Sequence, residues 1–96
     1  MHKGFWKNKK VLITGHTGFK GSWLSNILTH YGANVFGYAL KPINQFDLYN
    51  LTKLKKKIKG EVIGDILNLK KFKRFVKIVK PEIVFHLAAQ PFVRKS

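Results

Sequence analysis

"VLITGHTGFKGSWLS", Val11 to Ser25, is the stretch on which the fold turns. A short β-branched run from Lys10 ends at Gly15, and Gly18 and Gly21 follow at equal spacing. A strand that stops on glycine and passes at once into a helix-like run reads as a buried parallel strand feeding a helix. In that setting G-x-x-G-x-x-G, preceded by Thr14, reads as a phosphate-binding pattern, the alternative being three turn glycines with no ligand. Gly15 lets the chain turn sharply as it leaves the strand. Gly18 leaves room for a pyrophosphate beside the backbone, and Gly21 lets the helix pack closely on the strand. N–H groups near Phe19 and Lys20 then face the phosphates, where the helix dipole favours negative charge.

Outward from this stretch, strands and helices alternate. Residues 21–31 place Trp23, Leu24, Ile27, Leu28 and Tyr31 on one helical stripe, and Gly32 stands where a helix end takes glycine. Ala33 to Leu40 is the second strand, followed by a turn at "KPIN". Phe46 to Ile58 reads as a helix with Leu51, Leu54 and Ile58 inward, ended by Gly60. Glu61 to Asp65 is a third strand. Leu69, Phe72, Phe75, Val76 and Val79 form another stripe, stopped by Pro81, and Glu82 to Ala88 is a fourth strand. The order β-α-β-α-β-α-β predicts an α/β fold: part of a doubly wound, Rossmann-like parallel sheet of four strands, in order 3-2-1-4, with three helices.

Ninety-six residues allow one domain, and 45% apolar residues fit a packed one. The absence of cysteine excludes disulfides and thiolate metal sites and suits a cytoplasmic location. No apolar run approaches the ~20 residues of a membrane span, and the basic N-terminus does not read as a signal peptide. The net charge of +15 admits a nucleic-acid partner. Seventeen of the nineteen cations are lysines spread over loops and helix faces, however, and that pattern favours a solvated surface.

A dinucleotide also needs partners for its adenosine end. An acid near the end of the second strand commonly grips the ribose, but here Lys41 stands in that region. A lysine accommodates a 2′-phosphate, which leans towards NADP. Asp65, after the third strand, is placed for the adenine edge, or equally as the N-cap of the next helix. His16 reads as an exposed turn residue, His86 as a packed strand residue, and both tryptophans as packing residues. No metal site is expected.

Three segments, "TGHTGFKGSWL", "GDI" and "VFHLAAQPFVRKS", resemble the extended short-chain dehydrogenase/reductase family of NAD-dependent epimerases and dehydratases. Within it they resemble the CDP-glucose 4,6-dehydratases. The resemblance covers the chain from about Phe5 to Ser96. It implies a pyrophosphate loop of Thr14, Gly15, Thr17, Gly18, Phe19, Lys20 and Gly21. It also implies adenine contacts from Asp65 and Ile66, and a nicotinamide-side wall of Leu87, Ala88, Ala89 and Gln90. NAD is the implied cofactor, with NADP the alternative that Lys41 allows. The implied reaction is oxidation at C4 of a sugar nucleotide, loss of water across C5 and C6, and return of hydride to C6.

The family's catalytic Tyr-x-x-x-Lys lies downstream of the "HLAAQ" segment, so the chain is expected to hold no catalytic residue of its own. Tyr49 and Lys53 match that spacing but lie between the second and third strands, on the adenosine side. The expectation is therefore a partial NAD(P)-binding domain over residues 1–96, without a substrate domain and inactive alone. The alternatives are a split enzyme completed by a second polypeptide along the fourth strand, or a small basic module for polyanions.

Overall fold

The computed structural model describes residues 3–41 and 48–87. The elements run α1 (Lys3–Trp6), β1 (Lys10–Thr14), α2 (Phe19–His30), β2 (Asn34–Ala39), α3 (Leu48–Leu51), α4 (Leu54–Lys57), β3 (Gly60–Ile63), α5 (Leu69–Val79) and β4 (Ile83–His86). The four strands form one parallel sheet in the order β3-β2-β1-β4. That is the 3-2-1-4 order expected from the alternating pattern. Parallel pairing needs a crossover between successive strands, and the helices supply it.

Side chains alternate between the two faces of the sheet. Val11, Ile13 and Val35 point to one face and pack with Leu28, Tyr49, Leu54 and Ile58, with Trp6, Leu24, Ile83 and Phe85 at the margin. This is the principal core. On the other face Tyr38 meets the rings of Phe72 and Phe75 of α5, with centroids 5.0 and 6.0 Å apart. Helix α2 ends in a Schellman motif. Gly32, at φ +89°, donates to the Thr29 carbonyl, and Ala33 donates to Leu28.

Three expectations need correction. The helix foreseen from Phe46 to Ile58 is, over its described part, two single turns broken at Lys53, which is left-handed at φ 54°. Tyr49 and Leu54 are both buried, yet five residues on a continuous helix would set them about 140° apart. The break turns both to the core, and the Thr52 hydroxyl bonds back to the Leu48 carbonyl at 2.7 Å. Leu51 is left exposed as a result.

The stripe assigned to α2 is also rotated. Trp23 is 57% exposed, and the buried positions are Gly21, Ser22, Ser25 and Leu28. A Cβ on Gly21 would lie 2.0 Å from the Gly15 carbonyl oxygen, so the helix sits on the strand end through its smallest residues. Finally, Leu69 is exposed at the start of α5 instead of facing inward.

The expected turn at 42–44, Phe46, Asp47, Ala88, Ala89 and Gln90 lie outside the described residues. Among the described residues no helix is long and apolar enough to cross a membrane.

Candidate functional site

In a parallel sheet every strand delivers its carboxyl end to the same edge, and ligands of open α/β sheets bind there. The structure brings the loop after β1, the end of β2, Asp65 after β3 and Leu87 after β4 to this edge.

The loop between β1 and α2 is held from several sides. Gly15 takes φ +82°, which a side chain would oppose, and donates to the Tyr38 carbonyl at 2.9 Å. The Thr17 hydroxyl donates to the Leu40 carbonyl at 2.8 Å, tying the loop to the end of β2. The Ser22 hydroxyl donates to the His16 carbonyl at 2.7 Å. Gly18 is the N-cap of α2, with no side-chain cap bond and no acid in the first turn. The Ser22 N–H closes the first turn on the Gly18 carbonyl at 2.8 Å. The N–H groups of Phe19, Lys20 and Gly21 precede it, in positions that an α-helix leaves without internal acceptors.

Gly15 and Gly21 are thus glycines for internal reasons. Gly18 is not. Its φ of −80° suits any residue, and an added Cβ would meet nothing nearer than the Gly15 carbonyl oxygen at 3.5 Å. The bare backbone at the N-terminus of α2 fits the close approach of a phosphate group.

Asp65 does not cap α5; Asn68 does, accepting from the Lys71 N–H at 3.2 Å. The Asp65 carboxylate accepts the Leu67 N–H at 2.9 Å, and its carbonyl accepts the Tyr38 hydroxyl. Its side chain stays exposed at the carboxyl edge, with Ile66 half-buried beside it. Lys41 is exposed after β2. At the far end the Leu87 N–H donates to both the carbonyl and the hydroxyl of Thr14, joining the ends of β4 and β1. His86 is exposed, not packed, with Nδ1 2.8 Å from the Thr14 hydroxyl.

The sequence reading missed a buried cluster behind the loop. His16, expected at the surface, is 0% exposed. Its ring lies over Gly37 of β2, where a Cβ would come within 2.4 Å of the imidazole. Gly37 pairs with Glu61 on β3, so Glu61 flanks the gap. The His16 Nε2 lies 2.6 Å from Glu61 Oε1, and the Tyr49 hydroxyl donates to both Glu61 oxygens at 2.9 and 2.8 Å. Burial pushes His16 below the usual histidine range, while the bond to Glu61 and its charge pull the other way. The signal was Gly37: a glycine inside a strand marks close approach by another group. Tyr49 is thereby turned to Glu61, while Lys53 is exposed, so this pair does not assemble as a catalytic Tyr-x-x-x-Lys.

Residues 12–96 match the family described as GDP-mannose 4,6 dehydratase. The chain belongs to this family. Over 94 residues it is 50% identical to the CDP-glucose 4,6-dehydratase of Salmonella typhimurium, covering 98% of this chain and 26% of that enzyme. The family's fold recurs in the Mth375 epimerase of Methanothermobacter thermautotrophicus. That structure has a TM-score of 0.70 and 32% identity, over 92% of this chain and 25% of the epimerase. It recurs too in the Bordetella bronchiseptica enzyme WbmH, solved in complex with NAD+. There the TM-score is 0.67 and the identity 25%, over 86% of this chain and 27% of WbmH. The chain therefore spans about a quarter of the length of these relatives.

Proposed function

We propose that the chain is the dinucleotide-binding part of a CDP-glucose 4,6-dehydratase-like enzyme and that its loop holds NAD. The observation that carries this reading is Gly18, a glycine that neither backbone conformation nor packing requires, at the uncapped N-terminus of α2. The 50% identity to a CDP-glucose 4,6-dehydratase supports the substrate class, a nucleotide-linked hexose.

In this reading the N–H groups of Phe19, Lys20 and Gly21 donate to the pyrophosphate, with Thr14, Gly15 and Thr17 shaping the loop around it. Asp65 and Ile66 lie against the adenine. The family resemblance assigns Leu87, Ala88, Ala89 and Gln90 to the nicotinamide side. NAD held by these residues would supply the hydride acceptor and donor that such a dehydration needs. The chain's own part is to bind and orient. Its phosphate-facing groups are backbone amides, which need no proton transfer. Lys41, exposed after β2, would accommodate a 2′-phosphate, so NADP is the competing ligand.

Thermal unfolding of the chain with millimolar NAD+ or NADP+ tests the reading. An upward shift with one nucleotide, abolished by Gly18→Val, supports it. A melt that neither nucleotide moves overturns it. A second reading has another polypeptide completing the enzyme along β4, which forms one edge of the sheet among the described residues, with Val84 half exposed. Mixing the chain with such a partner would then restore turnover of CDP-glucose.

A further inference from the structure

The loop that would hold the pyrophosphate is fastened from behind by residues with no part in touching it. His16 lies between Gly15 and Thr17, and its carbonyl also takes the Ser22 hydroxyl. The position of its ring therefore constrains both the loop and the first turn of α2. The ring is fixed by the gap at Gly37, by Glu61 and by Tyr49, whose ring meets it edge-on at 5.6 Å between centroids. We propose that the buried chain His16–Glu61–Tyr49 is the positioning device of the dinucleotide loop, coupling its grip on a pyrophosphate to the protonation of His16. This rests on the proposed function above and deepens it.

The chemistry follows from the partners. Glu61 already accepts the Tyr49 hydroxyl, so as a carboxylate it only accepts, and His16 must present Nε2–H to it. Nδ1 is then a bare lone pair, buried and without a hydrogen-bond partner among the described residues. It faces Gly37, where a Cβ would lie 2.4 Å away. A second proton would place an N–H donor there with nothing to accept it, which a buried site opposes. The titratable groups facing the ring are Glu61 from β3 and Tyr49 from α3. β2 contributes Gly37, and the neutral Ser22 of α2 bonds the His16 carbonyl. The Lys57 amine of α4 is engaged with Asn26 at 3.2 Å. Acid therefore drives the ring from its seat, and the loop with it.

The test is NAD+ affinity by calorimetry between about pH 5 and 8, for the chain as it stands and for Glu61→Gln and Tyr49→Phe. Affinity is expected to fall towards acid. At neutral pH Glu61→Gln weakens binding about tenfold. Its acid midpoint moves to lower pH, because the group that favours imidazolium is gone. Tyr49→Phe moves the midpoint to higher pH, because a carboxylate stripped of a donor favours imidazolium more. A passive structural role would weaken both variants equally at every pH. That outcome, or a flat profile for the unaltered chain, overturns the proposal while leaving NAD binding in place. If the unaltered chain binds no NAD+, the functional reading fails and His16 is judged by NMR titration instead. An Nε2–H tautomer whose titration also shifts the amide signals of Gly15, Thr17 and Gly18 sustains the positioning of the loop by His16; loop amides that do not follow the titration overturn it.

Discussion

Gly18 and Gly21 stand three residues apart and do opposite work. Gly21→Ala would set a methyl 2.0 Å from the Gly15 carbonyl oxygen, and backbone cannot yield as a flexible side chain can. It is expected to cost about 3 kcal/mol in urea unfolding. Gly18→Ala meets only an ordinary contact at 3.5 Å. Stability should stay within about 0.5 kcal/mol, while NAD+ affinity measured by calorimetry falls about a hundredfold. His16 sets a pH dependence at the same scale. Its folded-state pKa is lowered, so the unfolded chain binds more protons between that lowered value and 6.5. Stability is therefore full above 6.5 and falls as pH drops through that window. Melting temperatures across the range should show this slope, and His16→Gln should flatten it.

At the scale of elements, strand order and crossovers were legible in the sequence because periodicity and punctuation agreed. Each strand reads as a short apolar run, and Gly15, Gly32 and Pro81 mark ends that the structure keeps. What escaped was orientation. Helix α2 packs through Gly21, Ser22 and Ser25, residues that carry no apolar signal, while Trp23, which reads as a packing residue, faces solvent. The seat of His16 depends on Gly37 and Glu61, which lie far from it in sequence and adjoin only once the sheet has formed. The glycine loop was readable because its residues are local; the cluster behind it was not, because its partners are not. Two element ends give further tests. Asn68→Ala removes the cap of α5 and should cost about 1 kcal/mol in chemical denaturation. Lys53→Gly relieves a left-handed residue at φ 54° and should raise stability by up to about 1 kcal/mol.

For the molecule as a whole, charge is the dominant long-range term. A net charge of +15 on 96 residues makes the compact state repel itself. Of the four acids, Glu82 meets Lys9 at 3.7 Å across an exposed pair, and Glu61 is committed to His16 and Tyr49. Few carboxylates therefore remain to offset the lysines. Raising salt from about 0.05 to about 0.5 M, which shortens the screening length several-fold, should raise the melting temperature of the chain.

The seat of His16 also carries a consequence for inheritance. Residue 16 fits only because residue 37 has no side chain, and a methyl at 37 would occupy the ring's place. Position 37 cannot gain a side chain while residue 16 keeps its ring there. Among relatives, a glycine at 37 should accompany a large residue at 16, and a side chain at 37 should accompany a small one. Each lineage would cross between the two pairings in steps that leave the loop briefly unsupported, so the two sites should be read as one inherited character.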